Sequence, residues 1–206
     1  EATKQSPGYF ARLPRRAKAL LAMTMTDMTD SPLNIPAERI PRHVAMIMDG
    51  NRRWARNKKL PLFFGHRSGF NRIEPLVVHA QSLGITHLTF WAFSTENWNR
   101  EKKEVDALMN LFRKMFTGSM VKKLKKNNVK VNALGDIAAF PRDIESGIKK
   151  IMAETKDNTG VTVNFALNYG GRAEILRAVK KIIAEKPKDI TEDVFSSHLY
   201  TNGQPD

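Results

Sequence analysis

From Ile40 onward the chain alternates between two hydrophobic periods, and that alternation limits the possible folds more than any other feature of the sequence. His43–Met48 (HVAMIM), His87–Phe93 (HLTFWAF), Val129–Leu134 and Val161–Leu167 (VTVNFAL) are short apolar, β-branched or aromatic runs that read as strands. Between them, Ser68–Ser82 carries Phe70, Ile73, Leu76, Val77 and Ala80 at a 3–4 spacing, the mark of one helix face. Glu104–Phe116 repeats the pattern with Val105, Leu108, Leu111, Phe112 and Met115. Pro141–Glu154, opened by proline, and Arg172–Glu185 complete the helices, while Lys122–Asn128 (KKLKKNN) reads as a basic surface turn. Strands separated by helices lie parallel, because their connections must cross over the sheet. The expected fold class is α/β, a mainly parallel central sheet flanked by helices.

Such a sheet binds ligands outside the carboxyl ends of its strands, where strand-to-helix loops converge. Those loops are DGNRRWA (Asp49–Ala55), STENWNR (Ser94–Arg100), Gly135-Asp136 and NYGGR (Asn168–Arg172). In the first, Asp49 stands beside Gly50, Asn51, Arg52 and Arg53. A carboxylate oxygen suits a hard cation, planar guanidinium forks suit phosphate oxygens, and glycine lets the backbone approach closely. Backbone N–H groups at the start of a following helix would add to such a diphosphate site. The plain alternative is an ordinary Asp-Gly-Asn turn with two solvated arginines. The second loop offers Ser94, Asn97 and Arg100 as donors and Trp98 as an apolar wall. Ser94 is equally a helix N-cap and Trp98 equally a core residue. His66, in Gly65-His66-Arg67, is either a phosphate contact or proton carrier, or an exposed cap. Asn168–Arg172 lacks the spacing of a P-loop or dinucleotide fingerprint, which disfavours nucleotide binding.

Composition narrows the partners. With 34 Lys+Arg against 21 Asp+Glu the formal net charge is +13, so an anionic partner is expected. The absence of cysteine excludes disulfides, thiolate metal sites and a cysteine nucleophile. No apolar run approaches the ~20 residues of a membrane span. Nucleic acid is not expected as a partner, because no recognised nucleic-acid module or aromatic-interleaved basic motif is present. Residues 1–36 read as a flexible basic N-terminal tail ahead of a domain covering residues 37–206. Within the tail, Tyr9–Ala22 (YFARLPRRAKALLA) is either a short amphipathic helix for an anionic surface or an unstructured leader.

Taken together, IPRHVAMIMDGNRRWAR, GHRSG, FWAFSTENWNR followed by Glu104-Val105, and NYGGRAEI resemble the cis-prenyltransferases, the family of the bacterial undecaprenyl diphosphate synthases. Four motifs in order, from Ile40 to about Tyr200, make the resemblance specific. It implies helices and sheet around an apolar tunnel, a homodimer, and a cytoplasmic enzyme in peripheral contact with membranes. The implied activity is successive cis-condensation of isopentenyl diphosphate onto an allylic diphosphate such as farnesyl diphosphate, with Mg²⁺ as cofactor. Carried over by motif, Asp49 is the metal-positioning and catalytic aspartate, with Asn51 and Asn97 as further catalytic residues. Gly50, Arg52, Arg53, Trp54, His66, Ser94, Trp98, Arg100 and Glu104 would bind substrate. Phe93, Leu108, Leu111, Phe112, Val131 and Ala133 are candidate tunnel linings, each equally readable as core.

Two departures from the family pattern stand out. A basic residue expected eight positions after Trp54 is Leu62 here, so that phosphate contact is either missing or supplied by Lys58, Lys59 or Arg67. The family pattern also continues past Asp206 into a segment that holds isopentenyl diphosphate, so a C-terminally truncated sequence is expected. A non-catalytic member binding allylic diphosphate or a partner subunit is the alternative reading.

Overall fold

Four strands, β1 (His43–Ile47), β2 (His87–Ser94), β3 (Lys130–Leu134) and β4 (Thr162–Tyr169), form one fully parallel sheet in the order β1-β2-β4-β3. These elements come from a computed structural model that describes residues 36–117 and 119–205. His43 pairs with His87, His87 with Thr162, and Lys130 with the same Thr162, so the four strands start level. Near their carboxyl ends β2 and β4 lose register, between Trp91 and Phe93 and again before Ser94. Such irregularities bend a strand and re-aim its side chains, and this one sits directly before the STENWNR loop.

The helices are α1 (Asn51–Asn57), α2 (Leu62–Phe70), α3 (Ile73–Ser82), α4 (Lys102–Thr117), α5 (Ser119–Lys126), α6 (Arg142–Glu154), α7 (Gly171–Glu185) and α8 (Glu192–Ser197). β4 is predominantly apolar because it is buried on both faces, with Val163, Phe165, Ala166 and Leu167 among the least exposed residues, and its one fully buried polar side chain, Asn164, donates to Thr89 Oγ1. Phe90 stacks on Phe165 at 5.9 Å between ring centroids, and Phe93 meets Trp98, Phe112 and Phe140 edge-on. The buried Thr155 ties two elements together: its Oγ1 donates to Ile151 O and accepts from Val131 N, joining α6 to β3.

Three local expectations need correction. The stretch Ser68–Ser82 is not one helix: α2 ends at Phe70 and α3 begins at Ile73. Pro75 explains the break, because its ring would clash with the carbonyl of Asn71 in a continuous helix, whereas the first turn of a new helix tolerates a missing N–H. Lys122–Asn128 is no turn over most of its length, since α5 runs to Lys126 and buries Leu124 against the core. DGNRRWA is a loop only as far as Gly50, from which α1 departs. The expected tail, including Tyr9–Ala22, falls on residues 1–36, of which 1–35 lie outside the described residues.

Candidate active site

The site is assembled at the carboxyl end of β1. After Ile47 the chain turns tightly, with Asp49 N bonded to Ile47 O, and Gly50 takes φ 86°, a left-handed conformation that favours glycine. That turn starts α1 at Asn51 and places Arg52, Arg53 and Arg56 along one helix. Asp49 is exposed and loosely paired with Arg53, Nη2 to Oδ2 3.4 Å. α2 packs against the start of α1 through two glycines one turn apart: a Cβ on Gly65 would strike the Asn51 carbonyl oxygen, and one on Gly69 the Asn51 side-chain amide. The GHRSG motif is thus a contact surface for Asn51.

His66, between those glycines, points instead to α4, where Nε2 lies 3.3 Å from Glu104 Oε1. Glu104 is the hub of the site's charges. The same Oε1 accepts from Arg100 Nη1 at 2.8 Å, and Oε2 faces Arg52 Nη2 at 3.6 Å. Its side chain is only 7% exposed. Burial pushes the His66 imidazole below its ordinary pKa, and the hydrogen bond to Glu104 offsets this in part, so His66 is neutral at pH 7. In the tautomer that donates from Nε2 to Glu104, Nδ1 remains an acceptor.

Two clefts meet here. The first, about 300 Å³, is basic, with Arg52, Arg53, Arg56 and Arg100 around Asp49 and Gly50. The second, about 320 Å³, is walled deeper in by Phe70, Ile73, Trp91, Leu108, Phe112 and Met115. They share Met48, Asp49, Asn51, His66 and Arg100, so a polar mouth opens onto an apolar interior. Ser94 and Asn97 stand on the wall of the apolar cleft. Asn97 Oδ1 accepts from Ser94 N in a capping box, which leaves the amide Nδ2 as its outward donor.

Most of the expected residues therefore converge, and three do not line either cleft. Trp54 is 41% exposed on the outer face of α1, with Lys58 over its ring. Trp98 packs among Phe93 and Phe140 and donates from Nε1 to Asn168 Oδ1 at 2.9 Å, because its indole edge fills the gap between the STENWNR loop and the end of β4. Glu104 stands behind the arginines. Among the tunnel candidates, Leu108, Leu111 and Phe112 line the apolar cleft, whereas Phe93, Val131 and Ala133 belong to the core or its flank. At the place of the absent basic residue, Lys58, Lys59 and Arg67 do not line the basic cleft, whereas Arg56 does; it lies one helical turn after Arg52, a spacing visible once DGNRRWAR is read as a helix start. Phe70, Trp91 and Glu96 also line the apolar cleft and were absent from the expected set.

Residues 47–206 match the family model described as putative undecaprenyl diphosphate synthase. The chain belongs to this family. It is 45% identical over 175 residues to the isoprenyl transferase of Clostridium perfringens, covering 82% of this chain and 69% of that protein. To the isoprenyl transferase of Neisseria gonorrhoeae it is 45% identical over 167 residues, 81% of this chain and 67% of the relative. Lavandulyl diphosphate synthase from Lavandula x intermedia, solved in complex with dimethylallyl diphosphate, superposes with a TM-score of 0.77 at 34% identity, covering 81% of this chain and 74% of that one. A probable undecaprenyl diphosphate synthase from Campylobacter jejuni gives 0.61 at 30% identity, with 77% and 68% covered. The chain is a prenyltransferase, and its parallel sheet flanked by helices is the family's fold. None of the described helices is long and apolar enough to cross a membrane.

Proposed function

We propose that this site binds an allylic prenyl diphosphate with its head in the basic cleft and its hydrocarbon in the apolar one, for cis-condensation with isopentenyl diphosphate. The observation that carries the reading is the junction of the two clefts through Met48, Asp49, Asn51, His66 and Arg100. An amphiphile with an anionic head and an apolar tail matches that junction. Arg52, Arg53, Arg56 and Arg100 hold the diphosphate and stabilise the charge that grows on it as it departs. Asn97 Nδ2 and Ser94 orient the reacting end of the chain, and Asn51, wedged by Gly65 and Gly69, keeps its amide fixed between the clefts. His66, neutral, contributes a hydrogen bond rather than a charge. The same geometry speaks against the non-catalytic alternative, because Asp49, Asn51 and Arg53 are all present at the mouth.

The donor set fits Mg²⁺. Asp49 is a single exposed carboxylate, and no group of three or more His, Asp or Glu side chains able to cage a metal occurs among the described residues. Mg²⁺ commonly relies on one or two carboxylates plus substrate phosphates. Asp49 would hold it, and the ion would supply electrostatic stabilisation of the leaving diphosphate.

The reading also includes a homodimer. An exposed apolar face of α7, formed by Ile175, Leu176, Val179 and Ile183, supports a second copy as its cover, and sedimentation equilibrium tests it. Calorimetry with dimethylallyl diphosphate, in Mg²⁺ or EDTA, tests the site itself. Binding that needs both the diphosphate and the metal supports it, and radiolabelled isopentenyl diphosphate entering polyprenyl product confirms turnover. Equal binding of the parent alcohol refutes the assignment of the basic cleft.

A further inference from the structure

The apolar cleft shares Phe70 and Leu111 with a separate groove of about 390 Å³ bounded by α2, α3, α4 and α5. Three cations rim this groove: Arg67, Lys114 and Lys123. Its one carboxylate, Glu74, accepts from Lys123 Nζ at 2.7 Å. Arg67 and Lys114 have no acidic partner among the described residues. Phe63 completes the apolar lining, and Phe64 meets it edge-on with ring centroids 5.9 Å apart while remaining 44% exposed. Two uncompensated cations, Arg67 and Lys114, beside aromatic and aliphatic side chains suit a surface that is anionic above and hydrocarbon below. Aromatic rings settle at the headgroup boundary of a bilayer, and basic side chains beside them pair with lipid phosphates.

We propose that this groove docks the protein onto an anionic phospholipid bilayer, so that a chain held in the apolar cleft faces the membrane across Phe70 and Leu111. The second clause rests on the prenyl reading of that cleft, and the docking surface does not. Charge complementarity favours phospholipid over a neutral apolar partner. Continuity of the lining with the apolar cleft favours a lipid over nucleic acid, which would gain nothing from an aliphatic lining.

The test is co-sedimentation of the full chain with vesicles of equal parts phosphatidylcholine and phosphatidylglycerol, and of phosphatidylcholine alone, at about 0.1 M salt. The chain is expected to sediment with the mixed vesicles. Lys114→Gln and Lys123→Gln should each weaken partitioning about fivefold, the effect of one basic residue near an anionic surface. Phe64→Ser should weaken it further without changing the salt dependence. Lys156→Gln and Lys188→Gln remove the same charge from exposed positions outside the groove and should cost less than twofold. Groove variants that lose no more than these controls overturn the proposal, because binding would then reflect net charge alone. Single-stranded RNA displacing the vesicles through the same lysines overturns it too. If Phe64→Ser fails to fold, Lys114→Gln decides, since that side chain is exposed. Dimethylallyl diphosphate binding is measured in parallel. Vesicle binding lost with allylic binding intact supports the docking surface, whereas groove-dependent vesicle binding with no allylic binding retains that surface and refutes the reading of the cleft.

Discussion

Replacing Glu104 with glutamine removes the carboxylate on which Arg52, His66 and Arg100 converge, while keeping the shape of the side chain. The Arg100 bond, at 2.8 Å to a nearly buried oxygen, is charge-assisted and contributes about 1.5–3 kcal/mol. Arg52, 3.6 Å away and almost half exposed, adds less than about 1 kcal/mol after solvent screening. His66 is neutral at pH 7 and adds no ionic contribution there. Glutamine still accepts from Arg100, so the expected loss is about 2 kcal/mol, or roughly 4–8 °C in melting temperature for a chain of this size. The sharper readout is His66 itself, followed by its imidazole proton resonances. Burial holds its pKa below 6.5, while the hydrogen bond and charge of Glu104 both raise it. Glu104→Gln withdraws the charge and weakens the bond, leaving burial, Arg100 and Arg52, so the pKa should fall further. Because the folded pKa is depressed, the unfolded state binds the proton first; stability from this group is complete above about pH 6.5 and is lost as pH falls through the folded value. In Glu104→Gln that loss extends to lower pH. A His66 pKa that is unchanged or higher in the variant, or a stability change within about 0.5 kcal/mol, would refute the role of Glu104 as the hub.

Gly65→Ala forces a Cβ onto the Asn51 carbonyl and should destabilise the chain by about 1–3 kcal/mol, read by thermal melting. Gly69→Ala meets only the movable end of Asn51, so calorimetry should find weakened dimethylallyl diphosphate binding with a smaller stability cost. Thr155→Val leaves the Val131 N–H buried without its acceptor, and urea denaturation should show a loss of about 1–3 kcal/mol. Asp49→Ala should leave stability within about 0.5 kcal/mol, since its pair with Arg53 is exposed on both sides. The same variant should abolish the Mg²⁺ dependence of allylic diphosphate binding, measured with and without EDTA.

The parallel sheet was legible in the sequence because a strand buried on both faces is predominantly apolar, as β4 illustrates despite its buried Asn164. Four helices were legible from their periodicity, one of them being two in the structure, while the short α1, α5 and α8 were not. Pro75 was present in the sequence and should have divided Ser68–Ser82, yet the 3–4 spacing runs unbroken across Asn71-Arg72 because α2 and α3 both turn their apolar faces inward. For the clefts, residue type and loop position sufficed to bring Asp49, Asn51, His66, Ser94, Asn97 and the first two arginines to their walls. They could not separate a side chain that faces the cleft from one that supports it. Trp98 and Glu104 occupy motif positions as prominent as Asn97 and Arg100, and only packing shows that the indole fills the core and the carboxylate lies behind the guanidinium groups. Phe70 was legible as a helix-face residue, but its place on the cleft wall depends on α2 stopping there.

The position of Glu104 accounts for how so basic a mouth can exist before substrate arrives. Arg52, Arg53, Arg56 and Arg100 line one small cleft, and like charges at that spacing repel. A carboxylate within the cleft would relieve the repulsion but would compete with a diphosphate for the same guanidinium forks. Glu104 neutralises from behind, engaging Arg100 and Arg52 through a side chain that lines neither cleft. Asp49, the acidic group that does face the mouth, is exposed, accepts from Gly50 N through Oδ1 and is only loosely paired with Arg53 through Oδ2, so on the proposed reading Oδ2 is the oxygen a cation would meet. The two carboxylates are thus divided by burial into one that fixes the arginines and one that stays available, and exchanging their environments would lose both effects.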